Sequence, residues 1–119
     1  MAVTRFEELR VWQKSKCLCV EIYRVTGQVP FSRDFGLRDQ IQRAAVSVMS
    51  NIAEGFERNS RAEFARFVSI ARGSAGEVRS QVYLARELGY VNEEDCRVLL
   101  ASCVEITRML ISLRKSLGG

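Results

Sequence analysis

Apolar residues recur every three to four positions through almost the whole chain, the period of one helix face rather than of a strand. In the first segment Leu9, Trp12, Cys19, Tyr23 and Thr26 follow that spacing, with Val11, Leu18, Ile22 and Val25 on an adjoining stripe. The pattern predicts a helix over residues 7–26, starting near Phe6–Glu8, with Gly27 as a stop that can take the left-handed cap conformation. Residues 27–35 carry Gly, Pro and Ser and read as the longest loop. A second helix is expected over 33–54, with Ser32 as N-cap, Leu37, Ile41, Ala45, Val48, Ile52 and Phe56 along one face, and Gly55 as its breaker. The short turn Phe56–Asn59 sends the next helix back antiparallel.

The third helix, 60–88, opens on Ser60 and Glu63, the S-x-x-E spacing of a capping box. Phe64, Phe67, Ala71, Ala75, Val78, Val82 and Ala85 mark its core face, and Gly89 closes it. The fourth, 92–117, opens on Asn92 followed by Glu93, Glu94 and Asp95, which suit the positive pole of a helix. Leu99, Cys103, Ile106, Leu110 and Leu113 form its stripe. Four rods of about 20 residues or more, each about 30 Å long, with short second and third connections, predict an all-α, antiparallel up-down-up-down four-helix bundle occupying residues 1–119 as one domain.

Composition narrows the chemistry. The chain has 119 residues, 47% of them apolar, and a single proline, Pro30, which leaves long helices uninterrupted. It has no histidine. That removes the usual general base, the Ser-His and Cys-His pairs and the Glu-x-x-His metal motif of ferritin-like bundles. Neither phosphate-binding glycine loop occurs. Cys17 and Cys19 point to nearly opposite sides of a helix, and Cys96 and Cys103 lie two turns apart, about 10 Å, so neither a disulfide nor a zinc site is expected. Glu54, Glu63 and Glu77 are the interior carboxylates; Glu63 has a capping role, and Glu54 and Glu77 are expected to pair with arginines across the bundle. No catalytic residue, metal or cofactor is expected. No signal peptide or spanning helix is read from the chain, and cytoplasm is the default expectation.

Charge adds one distinctive feature. The formal net charge is +4, and 15 of the 18 basic residues are arginine, the side chain whose planar fork suits phosphates and carboxylates. On the third helix Arg61, Arg72, Arg79 and Arg86 fall within about 40° of one another and line one edge for about 37 Å. This row is the candidate nucleic-acid-binding site. From the residues alone, a solvated edge carrying salt bridges is the simpler reading. Val68 and Tyr83 interrupt the row. The same helix holds Gly73 and Gly76, which cost about 1 kcal/mol each relative to alanine; close approach of another helix, in the chain or from another chain, is the expected offset. Ile70 and Leu84 on helix three, and Leu100, Val104 and Ile111 on helix four, form second apolar stripes, read either as a subunit interface or as a thicker core.

The run from Gly36 to Val78, GLRDQIQRAAVSVMSNIAEGFERNSRAEFARFVSIARGSAGEV, resembles the signature of the bacterial four-helix-bundle family of proteins encoded within intervening sequences of large-subunit ribosomal RNA genes. FEELRVWQKS, Phe6–Ser15, is similar to that family's start, and LARELGYV, Leu84–Val91, to its last hairpin. The matching positions are Trp12, Gln40, Asn51, Glu54, Gly55, Ser60, Glu63, Phe64, Gly73 and Ser74. The accessory variability proteins of diversity-generating retroelements look like distant members. The resemblance implies a homo-oligomer, a cyclic pentamer, and in the retroelement branch a basic surface that binds RNA or DNA. It implies no enzymatic activity; no membrane partner is expected, since no apolar stretch is long enough to span. It places Asn51, Glu54 and Ser74 in a polar cluster between helices two and three. The family often carries proline at the place of Met49, where it would kink the helix, so helix two is expected straighter here. A protein-interaction scaffold, with the arginines spent on ion pairs between subunits, is the alternative function.

Overall fold

A computed structural model describes residues 3–118. Four α-helices follow one another: α1 Arg10–Thr26, α2 Phe35–Phe56, α3 Arg61–Glu87 and α4 Glu93–Ser116. Two short 3-10 turns, Phe6–Glu8 and Phe31–Arg33, precede α1 and α2. No strand occurs among the described residues. Each helix packs on its sequence neighbours, and α1 closes the ring against α4. The rod measures 44 × 22 × 21 Å, as four antiparallel helices of this length require.

The expected cores are reproduced on α2, α3 and α4. Ile41, Ala45, Val48 and Ile52 face Ala71, Ala75, Val78 and Val82, with Leu99, Cys103, Ile106 and Leu110 completing the interior. Phe56, Phe64, Leu37 and Leu113 sit half-buried at the rod ends. On α1 the adjoining stripe Val11, Leu18, Ile22 and Val25 is buried throughout, and of the expected face only Cys19 and Thr26 join it. Tyr23 is 49% exposed, and Leu9 and Trp12 only half-buried. The helix itself starts later than expected, because Leu9 takes an extended conformation between the 3-10 turn and α1.

The ends of the helices differ from expectation in ways with clear causes. Asp34, not Ser32, caps α2: its Oδ1 accepts from the Leu37 amide at 3.1 Å. Its other oxygen accepts from the Tyr90 hydroxyl at 2.9 Å, and Tyr90 stacks at 5.1 Å on Phe31, which plugs the bundle end fully buried. Gly27 ends α1 in a right-handed conformation, φ −80°, so the left-handed cap expected there does not form. Gly89 does take it, φ +75°, as a non-glycine residue rarely would. Ser60 accepts from the Glu63 amide at 3.1 Å, but the Glu63 carboxylate turns to Arg58, 3.7 Å away, so only half of the capping box closes. Asn92 caps α4 through the Asp95 amide at 2.7 Å.

Gly55 does not break α2, which runs one residue past it. A Cβ at this position would lie 2.6 Å from the Cβ of Phe67 and 3.0 Å from Cδ1 of Phe64. The absent side chain lets α2 meet the start of α3 directly behind the turn. Gly73 and Gly76 are the opposite case: a Cβ on either would meet nothing within 4 Å. The close approach expected of them within the chain is therefore absent, and both face outward.

Candidate nucleic-acid interface

The four arginines of the α3 row share the edge that faces α4, but the structure divides them. Arg61, in the first turn of α3, donates from Nη2 to the carbonyl of Ser116 at 2.7 Å, in the last turn of α4. There a cation also meets the negative pole of that helix. Arg86, near the other end, donates from Nε to Glu93 at 3.1 Å, in the first turn of α4. The two ends of the row thus tether α3 to both ends of α4. Such exposed pairs are each worth about 0–1 kcal/mol.

Arg72 and Arg79 lie between them, seven residues and two turns apart, about 10 Å. Both are exposed, and neither has a carboxylate within 4.0 Å among the described residues. Arg79 stands close enough to the buried Cys103 thiol to act on it. Burial pushes that thiol up to about 12, and the guanidinium pulls weakly the other way. Arg79 shares an edge of α3 with Arg86, seven residues on, which pairs with α4. A third guanidinium joins from α4: Arg114 donates from Nε to the Ser69 hydroxyl at 3.2 Å. Its Nη1 is covered and meets no acceptor among the described residues. A half-buried cation without a counter-ion is costly and is relieved by an anion brought to it. Arg114 did not stand out in the sequence because it lies on another helix; only the antiparallel register of α3 and α4 brings it beside Ser69 and, one turn on, Arg72.

The outer face of α3 is low and uneven. Gly73, Gly76 and Ser80 leave it without side-chain bulk, flanked by exposed Ile70 (40%) and Leu84 (49%). Gly76, Arg79, Ser80 and Tyr83 line a notch with about 320 Å³ of open space. Their spacings of three, four and seven place them on one helix face. Val68 interrupts the arginine row as buried core, and Tyr83 as an exposed ring. On α4 the expected second stripe, Leu100, Val104 and Ile111, is half-buried rather than free, and Leu100 packs against the core.

Between α2 and α3 lies a polar seam. Ser47 and Ser74 share a hydrogen bond at 2.8 Å, and Asn51 donates to the Ser47 carbonyl and hydroxyl at 2.8 and 2.9 Å. Two of the three residues expected there, Asn51 and Ser74, are present. Glu54 is not: it pairs at 2.8 Å with Arg58, in the turn just past the end of α2. Glu77 accepts from the Gln81 amide at 3.4 Å, and Gln81 also donates to Gln40 at 3.3 Å. Neither carboxylate pairs with an arginine across the bundle.

All four cysteines are free, Cys17 exposed and the others buried. No group of metal-ligating side chains forms among the described residues. No helix there is long and apolar enough to cross a membrane.

The comparisons with known proteins agree with this architecture. A crystal structure of a Bacteroides thetaiotaomicron protein of unknown function, from the S23 ribosomal protein family, superposes with a TM-score of 0.82 at 29% identity. The match covers 88% of this chain and 95% of that one. No curated protein matches the chain. The sequence model of the 23S rRNA-intervening sequence protein family matches residues 7–112, which takes in all of α1, α2 and α3 and most of α4. The chain belongs to the 23S rRNA-intervening sequence protein family.

Proposed function

We propose that this protein is a non-enzymatic, homo-oligomeric helical scaffold that binds RNA or DNA without sequence preference through the arginines of the α3/α4 edge. The observation that carries the reading is the pair Arg72 and Arg79: exposed, two turns apart and without a carboxylate partner among the described residues. If the row were a salt-bridged edge, these central members would be paired as Arg86 is. Phosphates supply the acceptors that the chain does not. The non-enzymatic part rests on the lack of histidine and on the state of the thiols. Burial raises Cys19 and Cys103 rather than activating them. The oligomer, a pentamer by family resemblance, would leave the unpaired arginines on a shared surface in the cytoplasm.

The test is fluorescence anisotropy with a labelled single strand and a labelled duplex at low salt, repeated as salt is raised. Affinity falls steeply with salt, and the reversals Arg72→Glu and Arg79→Glu abolish binding while light scattering gives an unchanged mass. Absence of binding to both probes at low salt refutes the reading. A second reading, a protein-interaction scaffold with these arginines in ion pairs between subunits, is favoured by exposed Ile70 and Leu84 beside open Gly73 and Gly76. It predicts that the same reversals break the assembly.

A further inference from the structure

We infer that the notch formed by Gly76, Arg79, Ser80 and Tyr83 seats a nucleotide of a single strand, with its base stacked on the Tyr83 ring and its phosphate held by Arg79. The inference rests on the nucleic-acid reading above and narrows it from any nucleic acid to unpaired strands.

Three observations converge on this notch. Tyr83 is 46% exposed. The structure gives it no aromatic or cationic partner among the described residues, whereas Tyr90, Trp12 and the phenylalanines near the rod ends stack on neighbours. A free ring on a basic edge is a platform for a base, and every base has a face to offer it. Next, Arg79 is one turn from Tyr83 and one turn from Gly76, so ring, guanidinium and floor lie in line along the helix. Arg72 continues the line one turn before Gly76, and Arg114 reaches the same groove through Ser69. Successive cations along a groove beside an exposed ring are the arrangement that tracks a flexible backbone.

The third observation concerns the floor. Gly76 is a poor helix former in the middle of a 27-residue helix. No packing in the chain requires it, since a Cβ there meets nothing within 4 Å. A side chain would instead stand in the notch that Gly76 lines with Arg79, Ser80 and Tyr83. The glycine is explained if something flat must lie there, and the basic rim selects a nucleotide over an apolar guest. A duplex fits poorly, because its bases are already stacked on one another and cannot lie on Tyr83 without being pulled out. Ser80, on the rim, offers a hydroxyl to a phosphate or sugar oxygen.

The experiment compares anisotropy of a labelled oligouridylate about 12 nucleotides long with that of an RNA duplex of the same length, using the full chain at one fixed low salt concentration. Tyr83→Ala is expected to weaken single-strand binding about 5- to 150-fold, the value of one base stacked on an aromatic ring, and to leave duplex binding nearly unchanged. Gly76→Leu fills the notch with a good helix former; it is expected to weaken single-strand binding while raising thermal stability, which separates loss of the seat from loss of the fold. Tyr23→Ala serves as the control ring and leaves binding as it was, because its notch beside Arg43 also holds the Asp39 carboxylate, which repels a phosphate. The inference is overturned if Tyr83→Ala and Gly76→Leu bind the single strand as the parent does, even though the arginine reversals abolish binding; the nucleic-acid reading then survives alone. It is also overturned if Gly76→Leu changes the mass seen by light scattering, since the face then belongs to a second copy of the chain. If neither probe binds the parent protein, both readings fall together.

Discussion

Three glycine-to-alanine substitutions, chemically the same, should change stability in opposite directions. At Gly55 the added Cβ would stand 2.6 Å from the Cβ of Phe67. That neighbour is fixed to its backbone and cannot swing away, so the α2/α3 contact must open by about 1 Å to restore an ordinary separation. Overpacking of this kind costs about 1–3 kcal/mol, and a rigid neighbour places Gly55 in the upper half. The better helix propensity of alanine returns about 1 kcal/mol. The net expectation for Gly55→Ala is a loss of about 1–2 kcal/mol, or about 4–8 °C in Tm for a chain of this size. At Gly73 and Gly76 nothing lies within 4 Å, so the propensity stands alone and each alanine should stabilise by about 1 kcal/mol. The assay is urea unfolding followed by far-UV circular dichroism, at one fixed protein concentration because assembly would shift the midpoint. Gly55→Ala as stable as the parent would refute the packing account of that position. Destabilisation by Gly73→Ala would refute the account of an open α3 face.

Three more predictions rest on the ends of the bundle and its interior. Asp34→Ala removes the α2 cap, at a cost of about 1 kcal/mol, and also the acceptor of the Tyr90 hydroxyl; Tyr90→Phe should cost less, and the double variant should equal Asp34→Ala alone in a denaturation series. The Asp34 carboxylate, through its hydrogen bond, raises the Tyr90 phenol above its usual value of 10.0. Its contribution is therefore complete below pH 10 and is lost as pH climbs through the folded value, so Tyr90→Phe should flatten the alkaline limb of a stability–pH curve; a limb unchanged by that substitution counts against the bond. In native protein at mildly alkaline pH, a thiol reagent should titrate one cysteine, Cys17, quickly and the other three only after denaturant is added; rapid modification of Cys103, whose thiol is pushed up to about 12, would contradict the packed interior.

The sequence was most legible where the determinants are local. Ser60 and Asn92 announced the starts of α3 and α4 because an N-cap acts over three residues. The core faces of α2, α3 and α4 followed from spacing because each carries one dominant stripe. Helix α1 carries two, and docking on α2 and α4 buries all of Val11, Leu18, Ile22 and Val25 but only Cys19 and Thr26 of Leu9, Trp12, Cys19, Tyr23 and Thr26, a division that no local pattern encodes. Tyr23 could be left outside because its ring tolerates water through its hydroxyl. Gly55 looked like a breaker because its reason, the Phe67 side chain, sits twelve residues away across a turn. The arginine row was visible as a line of like residues. Which members would be paired depended on Glu93 and Ser116, contributed by another helix. Arg114 and the notch beside Tyr83 belong to that same tertiary register.

The ring of packed helices has a consequence for how the chain could be rewired. Leu9, Arg10 and Val11 line one cleft with Met109, Leu113 and Ser116, so the polypeptide arrives and departs at the same pole of the rod. Joining those two segments of backbone with a brief glycine-serine bridge, and cutting instead in the exposed turn at Arg58–Asn59, would reorder the helices while preserving which helix packs on which. A circularly permuted version should therefore fold, and the rod can sit as an insert within a longer host without being pulled open.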